Sequence, residues 1–84
     1  MDLVERATRV TSREDLVEFL HALAADCHTS ATTWENGTLE TFLEAMARWA
    51  LDMDGYYANR GERIDDQSPW RVMTDLLMAA RIYE

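Results

Sequence analysis

The chain of 84 residues is the size of one domain, and at this length only about 60–65% of the unfolded surface can be buried. Sixteen acids oppose eight bases, all of them arginine, for a net charge of −8. The lack of lysine excludes a Schiff-base or P-loop lysine, and the acid excess opposes contact with nucleic acid or anionic lipid.

The first ten residues, MDLVERATRV, read as an irregular or short helical segment: Leu3, Val4 and Ala7 suit one helical turn, and Val10 suits extended chain. Helical periodicity starts at Ser12, where Ser12 to Asp15 resembles a capping box. At about 100° per residue, Leu16, Phe19, Leu20, Leu23 and Cys27 share one stripe, with Glu14, Glu18 and His21 opposite. The polar run His28 to Gly37 interrupts this helix, and Thr38 is placed to cap the next one. Leu39, Phe42, Leu43, Met46, Trp49, Ala50 and Met53 form its apolar face, and Gly55 sits where a glycine would end it. A loop over 56–67 follows. Ser68-Pro69 then starts a last helix that turns Trp70, Met73, Leu76, Leu77 and Ala80 inward. The expected fold is all-α, a small bundle of three main helices over about 12–27, 38–54 and 68–82 in a single domain, 1–84.

Asp52 and Asp54 ahead of Gly55 suggest a calcium loop, but the register fails. With Gly55 at the loop's obligatory glycine, Ala50 and Gly61 occupy the first and last ligand positions. His21 and His28 stand about 10 Å apart along a helix, too far for one zinc. Glu18 and His21 match a di-iron spacing once, on a polar face, where two inward copies are needed. Cys27 points to the apolar stripe and reads as an unreactive thiol. No catalytic set, metal site or cofactor is implied. The acidic and aromatic corner of Asp52, Asp54, Tyr56 and Tyr57, with Asp65 and Asp66, reads as an ion-paired helix end, with partner binding as the sharper alternative. Leu51, Met78 and Ile82 are apolar on outer faces. Either the N-terminal segment covers Met78 and Ile82 or the three form an interface. Trp34, Trp49 and Trp70 read as structural, Trp34 packing over the start of the second long helix.

Trp34-Glu35-Asn36, Leu39, Phe42 to Ala45, Trp49, Asp54-Gly55-Tyr56-Tyr57, Trp70 and Tyr83-Glu84 together resemble a family of small uncharacterised bacterial domains. The resemblance spans about two-thirds of the chain and is weakest at the N-terminus. It implies a bacterial origin and a compact domain, and no activity.

One cysteine excludes an internal disulfide, and neither a signal peptide nor a membrane span is visible, so a cytoplasmic protein is expected. Small size, acidity and the lack of a catalytic set fit a non-enzymatic interaction module with a protein partner, conceivably a basic one. By analogy of size and charge alone it is like the immunity proteins that neutralise bacterial toxins. The alternative is a small enzyme or ligand-binding domain built on the tryptophans and Asp54.

Overall fold

In a computed structural model, which describes residues 2–83, the chain forms four α-helices and, among those residues, no strand. They are α1 (Leu3–Thr8), α2 (Arg13–Ser30), α3 (Leu39–Asn59) and α4 (Pro69–Ala80). Short 3-10 turns at Ala31–Thr33 and Ile64–Asp66 follow α2 and precede α4. The N-terminal segment is thus helical for six residues, capped by Asp2, whose carboxylate accepts from the Glu5 N–H.

The start signals work as expected. Ser12 Oγ accepts from the Asp15 N–H at 3.1 Å, though the Asp15 carboxylate reaches one residue further back, to the N–H and hydroxyl of Thr11. Those bonds hold the Asp15 carboxyl below its usual range. Thr38 forms a full capping box with Thr41, and Ser68 Oγ accepts from the Arg71 N–H. Two ends run past expectation. At α2, the Thr29 hydroxyl donates to the Ala25 carbonyl and the helix continues to Ser30.

The larger correction concerns Gly55. It does not terminate α3, which continues to Asn59 and takes Tyr56 and Tyr57 with it. The terminating glycine is Gly61, at φ 71°. Its N–H donates to the Ala58 carbonyl and that of Glu62 to the Tyr57 carbonyl, the paired bonds of a Schellman end. Tyr56 and Tyr57 extend the stripe of Trp49 and Met53 at helical spacing, and that burial carries the helix through a glycine with open space around it.

α4 is the hub of the fold and packs against each of the other three helices. Ala7 and Val10 join Phe19 and Leu23 in one buried cluster, with Trp70, Leu77 and Met78 of α4 against it. Burying side chains such as Phe19 and Val10 stabilises by about 1.5–3 kcal/mol each. Met78, expected on an outer face, is therefore half-buried under α1 and α2, while Met73, expected inside, is exposed. α2 and α3 barely touch, and the molecule is a slab of 34 × 27 × 17 Å. A slab this thin leaves the space between its two longest helices open to solvent.

Candidate functional site

The expected acidic and aromatic corner resolves into a structural lock between α3 and α4. Trp49, Tyr56 and Tyr57 form one aromatic cluster, with centroids 5.3 Å apart for Trp49–Tyr56 and 5.0 Å for Tyr56–Tyr57. Tyr57 is only 2% exposed, so it is core rather than contact surface. Its hydroxyl donates to Asp75 Oδ2 at 2.7 Å, and Arg71 Nε donates to the same carboxylate at 3.1 Å. Burial, then this hydrogen bond, pushes the Tyr57 hydroxyl far above the usual phenol range. Tyr83, beyond the end of α4, donates its hydroxyl to Asp52, and that bond raises its pKa as well.

The two aspartates are not at a helix end, because α3 continues past them. Asp52 holds Tyr83, and Asp54 is exposed. The arginines that follow them in sequence pair elsewhere, Arg60 with Glu62 at 2.8 Å and Arg63 with Asp65 at 3.8 Å. Arg60 also stands 5.4 Å above the Tyr56 ring. Asp65 and Asp66 lie on the 3-10 turn, exposed. Met78 and Ile82 line a shallow hollow of about 320 Å³ beside Trp49, Tyr56 and Tyr83. Leu51, 86% exposed, does not line that hollow.

The Trp34-Glu35-Asn36 segment does what its sequence did not disclose. Trp34 stacks on Phe42 at 5.6 Å, donates its indole N–H to Asp26 at 2.7 Å and lies 6.0 Å under the Arg81 guanidinium. Asn36 does not serve the start of α3, which it precedes; it caps the C-terminal end of α4. Its buried amide donates to the carbonyls of Ala80 (3.0 Å) and Tyr83 (2.9 Å), and its backbone N–H to that of Arg81 (2.9 Å). Glu35 is exposed.

With Trp34 fixed in this way, a second concavity opens between α2 and α3, with a volume of about 320 Å³. Leu20, Ala24 and Cys27 of α2 form one wall, Leu39 and Phe42 of α3 the other, with Trp34 beside them and Leu77 of α4 contributing to the lining. Leu39 is 75% exposed; Leu43, one turn on, and Leu20 and Met73 are also exposed. The stretch of chain that contains both walls is acidic. Between Arg13 and Arg48 the chain carries Glu14, Asp15, Glu18, Asp26, Glu35, Glu40 and Glu44 and neither lysine nor arginine. That stretch supplies seven of the eight net negative charges. The sequence reading placed Leu20, Leu39 and Leu43 inside because a periodic stripe shows which side is apolar, not whether a neighbour covers it.

Among the described residues no three His, Cys, Asp or Glu side chains come together to hold a metal, and no helix is long and apolar enough to cross a membrane. The tryptophans have different ring partners: Trp34 stacks on Phe42 and Trp49 on the two tyrosines, while Trp34 and Trp70 both pack on the α1/α2 cluster.

The model of a family of unknown function, DUF7660, matches residues 12–84, which spans α2 to α4 and every residue of both surfaces just described. The chain belongs to that family. No curated protein and no solved structure matches the chain. In this DUF7660 member the matched region begins at the cap of α2, so α1 and Val10, which complete the buried cluster, lie outside it.

Proposed function

We propose that the domain is a non-enzymatic, acidic interaction module of bacterial origin, acting in the cytoplasm, whose partner is another protein with a basic surface. The observation that carries this reading is the solvent-open groove between α2 and α3, lined largely by apolar side chains, on a chain of net charge −8. Contiguous exposed apolar surface marks contact sites, and a net acidic surface steers toward a basic partner. A small-enzyme reading would draw on the tryptophans and Asp54; Asp54 is exposed, and Trp34 and Trp49 have different ring partners.

Affinity capture from bacterial cells with the wild-type domain and with Leu39→Glu provides the test. A basic protein retained by the wild type and lost by the variant is expected. Identical captures, together with a thermal shift on adding a small apolar molecule, would replace this reading with ligand binding.

A further inference from the structure

We propose that the flank of α3 from Trp49 to Asn59 holds a binding site for a quaternary ammonium group. The site is separate from the groove and does not depend on the interaction reading. Trp49, Asp52, Gly55, Tyr56 and Asn59 recur at intervals of three and four residues, so one flank of α3 carries all five. With Tyr83 from beyond the end of α4 they line a hollow of about 340 Å³, at the small end of the range for ligand sites. Trp49, Tyr56 and Tyr83 also line the hollow beside Ile82, so the two hollows share three aromatic side chains. Tyr83 is held from two directions: the Asn36 amide donates to its carbonyl, and its own hydroxyl donates to Asp52. Gly55 has its place in this lining. A glycine inside a helix costs stability, and an added Cβ at Gly55 meets no atom within 4 Å. The absent Cβ lets a ligand come close to the helix backbone.

The chemistry of the lining selects the ligand. Aromatic faces carry the negative side of the ring quadrupole and attract cations. The chain already uses Tyr56 in this way, with the Arg60 guanidinium 5.4 Å from its ring centroid. A quaternary ammonium has no N–H to satisfy, so it leaves water for a ring-lined hollow at low cost. A lysine ammonium is compact and strongly hydrated and stays outside. Among the described residues Asp52 is the one charged side chain in the lining, and its carboxylate favours a cation over a neutral ligand of the same shape. Three arginines stand around the hollow without lining it. Arg60 is paired with Glu62, Arg48 acts on the Tyr83 hydroxyl from one turn before Asp52, and Arg81 lines the adjoining hollow together with Asp75. They moderate the local field, so ring contact rather than net charge decides what binds.

Amide NMR of the full chain, titrated with choline chloride, provides the test. The controls are sodium chloride at equal ionic strength, ethanolamine, and the carbon isostere of choline, with a tert-butyl group in place of trimethylammonium. Choline should shift Gly55, Tyr56 and Asn59 saturably and bind on the order of tenfold more tightly than ethanolamine or the isostere. Tyr83→Leu and Tyr56→Leu each remove one ring and should weaken choline on the order of tenfold. Gly55→Ala should weaken choline binding while making the domain more stable, a combination that a purely structural glycine does not produce. Shifts with sodium chloride or ethanolamine equal to those with choline would mean charge screening and overturn the proposal. Equal binding of the isostere would mean a hollow that is merely apolar and would overturn it too. Choline binding unchanged in both Tyr83→Leu and Gly55→Ala would place the cation elsewhere, and these two variants decide the matter even where Tyr56→Leu fails to fold. A peptide bearing trimethyl-lysine separates the sources of the group. Binding tighter than that of choline assigns it to a protein side chain, and weaker binding assigns it to a free cation. No saturable shift with either overturns the proposal.

Discussion

The Asn36 amide and backbone N–H satisfy three carbonyls at the C-terminal end of α4, from a position 44 residues earlier in sequence than Ala80. Helix ends leave such carbonyls without partners, and a buried carbonyl without a partner costs about 1–3 kcal/mol. Asn36→Ala should therefore destabilise by about 2–3 kcal/mol in denaturant unfolding. Asn36→Asp should cost more at neutral pH, because a carboxylate there faces carbonyls and has no proton to donate. Acidification should recover part of that loss, since the folded state would favour the protonated acid. Tyr57 gives the complementary alkaline test. Its pKa is raised in the fold, so its contribution is complete below the ordinary phenol value of 10.0 and is lost as pH rises beyond it. The wild type should lose stability above that pH, by at most about 1.4 kcal/mol per pH unit for this group, and Tyr57→Phe should flatten the slope. Of this chemistry the sequence displayed only the residue types. It showed Trp34-Glu35-Asn36 and Asp-Gly-Tyr-Tyr as unusual combinations, but the partners of Asn36 and Tyr57 are on α4, out of reach of any local pattern.

At the scale of elements, local signals located starts better than ends. Asp15, Thr41 and Arg71 bond to the hydroxyls of Ser12, Thr38 and Ser68, and all three sit where capping chemistry placed them, because a cap is complete within four residues. The end of α3 was misplaced because two glycines competed for it. Gly55 has no neighbour near the position of an added Cβ and does not have a positive φ, whereas Gly61 does. Gly55→Ala should thus stabilise the domain by about 0.5–1 kcal/mol and Gly61→Ala should destabilise it by about 1 kcal/mol, both read as shifts in urea midpoint. A loss of stability in Gly55→Ala would place the helix end back at residue 55. The spacing of Tyr56 to Trp49 and of Tyr57 to Met53 was the clue that favoured the longer helix.

Over the whole molecule, the all-α architecture was legible because three apolar stripes, few glycines and one proline leave little else to form. Which stripes meet was not. Three helices that converge on α4 leave α2 and α3 apart, and so turn residues with core periodicity into walls of an open groove. Meanwhile the residues that looked like a contact surface, Asp52, Tyr56 and Tyr57, are engaged in joining α3 to its neighbours. Burial thus separates the two surfaces. The exposed apolar lining supports the groove as the docking face, and backbone amide NMR of the full chain distinguishes the two most directly. On titration with a basic amphipathic peptide, shifts should concentrate at Leu20, Ala24, Cys27, Leu39, Phe42 and Leu77, leaving Asp52, Tyr56 and Tyr83 unmoved. Shifts confined to Asp52, Tyr56 and Tyr83, with the groove silent, would contradict the account.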